Sequence, residues 1–298
     1  MSALDWDKLR IFHAVAEAGS LTHAGEQLGL SQSAVSRQIG ALETQLNTSL
    51  FHRHARGLIL TEQGELLLRT AREIFSRLAV AEAMIADSKD KPSGDLRVTS
   101  TVAFGTIWLA PRIKEFMDLY PDIRISLVVD DRELDLSMRE ADVAIRMWKP
   151  TQSDLIQRKL LTVHNHLYAS VDYVTRHGAP QAVEDLDRHR LVVYGETAPA
   201  HFDNINWLLT VGEPSRPREP IFTVNNVYGV MQAMVSGLGV AALPDYMVQG
   251  NPRVVRVLPN VDGPNFDTYL AYPEELRNTK RLAVFRDFLL RKVADWRY

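Results

Sequence analysis

The chain has 298 residues, of which 46% are hydrophobic and 24% are charged, as in an ordinary soluble globular protein of about two domains. It contains no cysteine, which excludes disulfides, thiolate nucleophiles and thiolate zinc sites. No apolar run approaches the roughly 18 residues of a membrane span, and the acidic N-terminus is unlike a secretory signal, so we expect a cytoplasmic protein with no membrane contact.

The charge balance does not indicate a nucleic-acid-binding protein. The formal net charge is −3, and residues 1–90 carry nine Lys/Arg against eleven Asp/Glu. A basic domain is the usual electrostatic footprint of a DNA-binding protein. Positive charge is nevertheless concentrated in residues 31–60. This segment contains Arg37, Arg53 and Arg56, and its single acidic residue is Glu43.

Three short helices are predicted at the N-terminus. Apolar residues recur at helical spacing over 6–18, and Ser20 can cap a second helix that ends near Leu28. Gly29 supplies the left-handed conformation of a tight turn, Leu30 is expected to pack inward, and Ser31 can cap the third helix.

The third helix is predicted to bury one face and to expose a polar one. Val35, Ile39, Leu42 and Leu46 form the predicted buried stripe. The opposite face carries the candidate DNA-contacting residues Ser31, Gln32, Ser33, Ser36 and Arg37. Such donor-rich side chains on the second helix of a helix-turn-helix suit a major groove. A helical bundle with a polar face would show the same pattern, so this alternative stays open.

The segment after Phe51 predicts a β-hairpin wing. Two short strands flank a basic loop that carries Arg53 and Arg56, which are placed to contact phosphates or the minor groove. Such a hairpin on its own is more often a solvated turn. Directly after a helix-turn-helix, the interpretation as a wing is favoured.

A long helix capped by Thr61 follows, and its apolar residues repeat at heptad spacing. This predicts a dimerisation seam of Leu67, Ala71, Ile74, Leu78, Ala81 and Ile85. The alternative is a helix packed only on its own domain. The polar stretch that ends at Pro92 and Gly94 predicts a hinge.

The order of these motifs resembles the LysR-type transcriptional regulators. The matching segments are Ser-Leu-Thr-His-Ala-Gly (20–25), Leu-Gly-Leu-Ser-Gln-Ser-Ala-Val-Ser-Arg-Gln-Ile (28–39), Leu-Glu (42–43), Leu-Phe-His-Arg (50–53) and Leu-Thr-Glu-Gln-Gly (60–64). At Gly40-Ala41 many members carry a basic residue, so this chain has fewer phosphate contacts available there. Within the family the chain is similar to the VtlR/LsrB group.

From Asp95 onward, predicted strands and helices alternate, with helices expected at 132–140, 226–236 and about 278–296. This order favours an α/β fold with parallel strands and crossover helices. The resemblance implies two lobes like those of periplasmic binding proteins, with the chain crossing between them twice.

The predicted domains follow from the motifs and the resemblance together. They are a winged helix-turn-helix at 1–61, a linker and dimerisation helix at 62–88, a hinge at 89–94, and an effector-binding domain at 95–298 with lobe I at 95–164 and 266–298 and lobe II at 165–265. The resemblance further implies a tetramer made from two dimers and RNA polymerase as a further partner.

Polar residues at strand ends match the family's effector-site pattern. They are Ser100, Thr101, Val102, Asp130, Asp131, Arg146, Asn225 and Asn226. The hydroxyls and Arg146 suit an anionic ligand, whereas the adjacent carboxylates favour a ligand with a donor or a cation, or simply face solvent. Ordinary capping and turn chemistry is the alternative at each position.

The sequence therefore predicts a regulator, activating or repressing, that binds double-stranded DNA and a small-molecule effector and needs no cofactor. An enzyme is not expected, because no P-loop, dinucleotide fingerprint or nucleophile elbow occurs. His164 and His166 lack the further ligands of a metal site. A solute-binding or enzymatic α/β protein with a helical N-terminal module unrelated to DNA is the alternative.

Overall fold

The computed structural model describes residues 4–54, 57–86, 91–152, 154–195, 201–202, 204–212 and 215–296. The chain divides into two compact units between Ile85 and Ala86, and the second unit excludes 137–139. None of the helices in these ranges is long and apolar enough to cross a membrane.

The first unit is helical apart from one hairpin. Its elements are α1 (Trp6–Ala18), α2 (Leu21–Leu28), α3 (Gln32–Leu46), β1 (Phe51–His54), β2 (Gly57–Leu60) and α4 (Glu62–Ala86). The caps follow from local chemistry: Ser20 and Ser31 accept amide hydrogen bonds at the starts of α2 and α3, and Gly29 adopts φ 66°. The antiparallel hairpin confirms the predicted wing strands.

The core of this unit contains the predicted faces of α1 and α3. Phe12, Val35 and Leu42 have no exposed surface. Two predictions were wrong: Leu30 is 38% exposed and Leu46 is 37% exposed. Leu30 lies in the turn itself, and α3 ends at Leu46, so neither side chain reaches the buried stripe.

Gly64 joins the start of α4 to the hairpin. A Cβ atom at Gly64 would lie 2.1 Å from the carbonyl oxygen of Leu50, whereas a Cβ at Gly40 in α3 would meet nothing within 4 Å. The Thr61 hydroxyl donates to the Ser49 carbonyl oxygen (2.8 Å) and accepts from the Gly64 amide (3.0 Å), which fixes this approach.

These two glycines predict opposite stability changes. Gly64→Ala should lower the free energy of unfolding by about 2 kcal/mol, because backbone atoms cannot yield to the added methyl group. Gly40→Ala should raise it by up to about 1 kcal/mol, since alanine is the better helix former. Chemical denaturation followed by circular dichroism measures both, and a stable Gly64→Ala variant would contradict the packing at α4.

The second unit contains two mixed sheets. Within the described residues, sheet I has the order β4-β3-β5-β12-β6 and sheet II the order β11-β7-β10-β8-β9. The strands are β3 (Gly94–Ser100), β4 (Ile123–Val129), β5 (Val143–Arg146), β6 (Leu155–Val163), β7 (Asn165–Ser170), β8 (Leu191–Tyr194), β9 (Phe222–Val224), β10 (Val240–Pro244), β11 (Val254–Arg256) and β12 (Phe266–Pro273). The chain passes from sheet I to sheet II between Val163 and Asn165 and returns before Phe266.

Helices cover these sheets. They are α5 (Ala110–Leu119), which continues the π-helical turns of Phe104–Leu109, then α6 (Val171–His177), α7 (Val227–Val235) and α8 (Lys280–Ala294), with short 3₁₀ turns at Val183–Arg188, Trp207–Leu209, Asp245–Met247 and Glu274–Leu276. A continuous core joins Phe104 and Phe285 to Met234 and Tyr246.

Two expectations for this unit were wrong. Strand β3 pairs in parallel with β4 and β5 as predicted, but β12 runs antiparallel to β5 and β6, so sheet I is mixed. The segment 132–140 contains turns and no helix. Side chains take its backbone amides instead: Gln152 accepts from the Leu136 amide (3.1 Å) and Glu140 accepts from the Asp135 amide (2.7 Å).

Candidate functional site

The start of α3 presents a polar face on the first unit. Gln32, Ser33 and Arg37 are exposed, and Ser36 is half-buried. The Ser31 hydroxyl caps the helix by accepting from the Ala34 amide (3.2 Å), and it lies 3.1 Å from the Ser33 hydroxyl. The predicted DNA-contacting side chains of α3 therefore occur together on one accessible surface.

The wing follows this surface along the chain. Arg53 was predicted in the loop of the wing, but it lies in β1, opposite Leu58. Its side chain is outside the described part of the structure, as is the whole of Arg56. The carboxylate of Glu43 accepts from the amides of Leu50 (2.7 Å) and Phe51 (3.3 Å). It thereby ties α3 to the first strand of the wing.

The predicted dimerisation residues divide into two groups along α4. Leu67 and Ala71 pack into the core of their own unit, and Ala71 has no exposed surface. Further along, Ile74 is 37% exposed, Leu78 is 42% exposed, and Ala81 is exposed as well. The side chain of Ile85 lies outside the described residues. The accessible apolar part of the heptad pattern is thus its second half.

A cavity lies between the two sheets of the second unit. We call it the interlobe cavity; it is open to solvent. It is lined by Thr101, Ala103, Asp131, Met147, Val163, Asn165, Phe202, Ile205, Val227, Ala242, Pro244, Tyr246 and Phe266. Most of this wall is apolar, as is usual for a small-molecule site.

Of the predicted effector residues, Thr101 and Asp131 line the interlobe cavity. Ser100 is fully buried beneath the surface, with no hydrogen-bond partner for its hydroxyl oxygen. The Val102 amide donates to a carboxylate oxygen of Asp131 at 3.0 Å. Strands β3 and β4 are parallel, so their carboxyl ends lie side by side. The bond therefore joins a residue after the end of β3 to the carboxylate after the end of β4.

The other predicted effector residues make structural contacts. Asp130 pairs with Arg132 (2.7 Å), and Asn226 caps α7 by accepting from the Gly229 amide (2.7 Å). Asn225 is exposed. None of these side chains, nor that of Arg146, belongs to the lining in the described part of the chain. Their contact with an effector stays a prediction.

Arg146 is a buried arginine that holds the loop after β4. It is 1% exposed, and its guanidinium donates to the carbonyl oxygens of Asp130 (3.1 Å) and Arg132 (3.1 Å) and to the Thr99 hydroxyl (2.9 Å). Burial lowers its pKa to about 10, so it remains charged at neutral pH. Its donors fix the backbone on both sides of Asp131.

Sequence reasoning missed most of the cavity wall. Asn165 begins β7 and is 4% exposed, and Tyr246 follows β10. Phe202 packs edge-on against Trp148, with ring centroids 5.3 Å apart. These residues come from distant segments, and their only signal in the sequence is their position near crossings or strand ends.

The carboxyl group of Asp131 is electrostatically unfavourable where it lies. Burial raises its pKa above the ordinary value, although the Val102 amide and the charge of Arg146 oppose the shift. Burial and the neighbouring Asp131 charge together raise the pKa of Tyr194 to about 12. The structure thus holds a carboxylate that solvent would stabilise better.

This raised pKa predicts how stability depends on pH. A carboxyl group with a raised folded-state pKa is protonated more readily in the folded chain, so stability falls as the pH rises from the unfolded towards the folded pKa. Asp131→Asn should therefore be more stable than the parent at pH 7, and the difference should shrink as the pH is lowered from the raised folded-state pKa towards about pH 4. Denaturant titrations at pH 4, 5.5 and 7 measure this; a variant equally destabilised at every pH would contradict it.

His164 and His166 were considered as metal ligands. His166 instead contacts the carboxylates of Asp245 (2.6 Å) and Asp262 (3.0 Å), and His164 contacts the Asn265 amide oxygen (2.9 Å). Across the part of the chain that the structure describes, no three His, Cys, Asp or Glu side chains form a group that could hold a metal ion.

The two units match two family models. Residues 6–65 match the bacterial regulatory helix-turn-helix protein of the lysR family, and residues 89–294 match the LysR substrate binding domain. The second match alone spans more than half of the chain.

Relatives align over nearly the whole chain. The HTH-type transcriptional regulator CrgA of Neisseria meningitidis serogroup C is 32% identical over 97% of this chain and 97% of its own length. An HTH-type transcriptional regulator of Xanthomonas campestris is 31% identical over 97% of this chain and 86% of its own length. These relatives are regulators, and on that ground the enzyme alternative is set aside.

Solved structures agree with this assignment. The structure of CrgA superposes with a TM-score of 0.63 at 30% identity, covering 98% of this chain and 99% of that one. The full-length virulence activator AphB of Vibrio cholerae superposes with a TM-score of 0.62 at 29% identity, covering 96% and 98%. The chain belongs to the LysR family of DNA-binding transcriptional regulators, with a winged helix-turn-helix followed by a two-lobed substrate-binding domain.

Proposed function

We propose that a small molecule bound in the interlobe cavity changes how a dimer of this regulator contacts its DNA. The observation that carries the proposal is the cavity itself: an apolar pocket between two lobes, with the half-buried Asp131 carboxylate and the Thr101 hydroxyl in its wall. A ligand that contacts both lobes favours one relative arrangement of them, and it can shift the protein only by that difference in affinity.

On the DNA side, we propose that α3 enters a major groove and that Ser31, Gln32, Ser33, Ser36 and Arg37 make its contacts. The accessible polar face of α3 and its fixed caps support this. In the dimer, Ile74, Leu78 and Ala81 of α4 are the proposed contacts with a second copy, because they are apolar and exposed. The predicted domain boundaries are retained, with lobe I and lobe II built on sheets I and II.

Footprinting tests the coupling between ligand and DNA. Genomic fragments that the full-length protein binds would first be selected and then footprinted, alone and with a saturating panel of small amines, acids, alcohols and sugars. At least one compound should change the spacing or extent of protection. Identical protection with every compound would contradict the proposal while leaving DNA binding itself intact.

The wing supplies a separate prediction. Arg53→Ala and Arg56→Ala should each flatten the slope of log affinity against log salt by about 1, because one phosphate contact and its released counterion are lost. Binding at several salt concentrations to one selected fragment measures this slope. If it does not change, the wing arginines do not contact phosphates.

We also propose an oligomeric state, a further partner, a subgroup of the family and a location for this protein. The resemblance supports a tetramer built from two dimers, RNA polymerase as a further partner and membership of the VtlR/LsrB group. A cytoplasmic location accords with a protein that acts on DNA. The choice between activation and repression depends on where the selected fragments lie relative to promoters.

A further inference from the structure

Several polar atoms in the wall of the interlobe cavity can accept hydrogen bonds. Asp131 contributes a carboxylate, and the buried Asn165 amide oxygen and Thr101 hydroxyl oxygen have no hydrogen-bond partner. Asn165 and Thr101 are 4% and 3% exposed, so the protein shields both oxygens from bulk water. An unpartnered buried acceptor carries a free-energy cost that a ligand donor removes.

The described residues of the same wall include no cationic side chain. Among the described lining residues there is no Lys, Arg or His. The guanidinium of Arg146 lies nearby, but it donates to two carbonyl oxygens and the Thr99 hydroxyl instead. An anionic ligand would therefore meet the Asp131 carboxylate without a direct bond from a lining cation.

The rest of the wall is apolar and partly aromatic. Phe202, Phe266 and Tyr246 contribute rings, and the stacking of Trp148 on His201 (centroids 4.6 Å apart) supports the Phe202 side. Aromatic faces also attract cations that lie against them. The cavity is thus suited to a molecule with a hydrophobic body and a compact group of donors.

We propose that the effector is a primary amine with an aromatic or aliphatic body, and that its ammonium group binds Asp131, Asn165 and Thr101. This inference rests on the proposed binding of an effector in the interlobe cavity. An ammonium group has three donors and no acceptor, and the wall offers one carboxylate and two unpartnered oxygens. The two adjacent carboxylates noted in the sequence thus have different roles. Asp131 binds the ligand, and Asp130 forms an ion pair with Arg132.

The test compares two probes of equal length and opposite charge. Titration calorimetry of the full-length protein at pH 7 would use 3-phenylpropylamine and 3-phenylpropanoate. The amine should bind at least about 10-fold more tightly. Asp131→Asn should weaken amine binding by about 10-fold or more, since a charge-assisted bond is lost, and should leave the acid unaffected or slightly tighter.

Asp267→Asn provides the matched control. Asp267 follows the cavity residue Phe266 in β12, but its carboxylate pairs with Lys159 (2.7 Å) and accepts from Thr162 (2.8 Å). The variant removes the same charge near the cavity and should leave the amine preference unchanged. Because Asp131→Asn is expected to be more stable than the parent, unfolding would not explain its loss of binding.

The outcomes separate this inference from the proposed function. Tighter binding of the acid, binding of neither probe, or equal effects of the two variants would overturn the assignment of an amine. If the amine binds as described and footprints stay unchanged with every compound, the ligand class stands and the coupling to DNA fails. If footprints respond to an anionic compound alone, the coupling stands and the ligand class is wrong.

Discussion

Replacing Ser33, Ser36 and Arg37 together by alanine is expected to remove sequence selection from this regulator. These side chains share the accessible face at the start of α3. Each good pair of hydrogen bonds to a base edge contributes about 1–3 kcal/mol of discrimination, so three losses should reduce the preference for a selected fragment about 100-fold or more. The quantity to measure is the ratio of dissociation constants for a selected fragment and a scrambled one, at one stated salt concentration.

The fold should survive this change. Ser31 remains to cap α3, the buried Val35 and Ile39 are untouched, and alanine favours the helix more than serine. Arg69→Ala is the control, because it removes an exposed positive charge from α4 in the same unit. It should leave the ratio unchanged. A triple variant that selects the parent's fragments equally well would show that α3 does not read the sequence.

Arg146→Ala is expected to destabilise the second unit strongly. It leaves the carbonyl oxygens of Asp130 and Arg132 and the Thr99 hydroxyl without their donor in a buried place. Each such group costs about 1–3 kcal/mol, so the free energy of unfolding should fall by about 3 kcal/mol or more. Urea unfolding followed by tryptophan fluorescence measures it, since Trp108 and Trp148 lie in this unit.

The matched control for this prediction is Arg132→Ala. Arg132 is exposed and pairs with Asp130 at the surface, where solvent screens the interaction, so its loss should change stability little. Arg146→Lys should recover only part of the stability, because an ammonium cannot reproduce the planar fork of donors. Similar stability of the Arg146→Ala and Arg132→Ala variants would refute the structural role of Arg146.

Arg146 also affects the position and the pKa of the Asp131 carboxylate. Arg146 orients the backbone on both sides of Asp131 without lining the cavity, so it acts on a ligand through position and field. Losing its charge would remove an interaction that keeps the pKa of Asp131 from rising further. Arg146→Ala is therefore also expected to raise the pKa of Asp131 further.

The residues read correctly from the sequence act over short distances. Ser20, Gly29 and Ser31 each cap or turn the chain within three or four positions, and their chemistry is local. The heptad pattern of α4 was equally visible. The structure shows that this pattern serves two environments: Ala71 packs inside its own unit, whereas Leu78 is exposed.

Two elements of the second unit, the segment 132–140 and strand β6, depend on contacts with other parts of the chain and were not predicted correctly. The segment 132–140 was predicted as a helix, but its Leu136 amide, which would bond within such a helix, donates to the side chain of Gln152 instead. Strand β6 was not predicted, because it pairs only with β12 at an edge of sheet I and lacks a clear alternation of burial.

The family, the helix-turn-helix and the alternation of strands and helices were determined by the sequence alone, since they depend on neighbours along the chain. The tertiary structure decided which polar residues meet. It buried Arg146 among carbonyl oxygens and placed Asp131 in the wall of the same cavity as Asn165, a residue more than thirty positions away. The spacing of residues along the chain cannot predict which distant residues line one cavity. The packing of the two sheets and the two chain crossings between them bring those residues together.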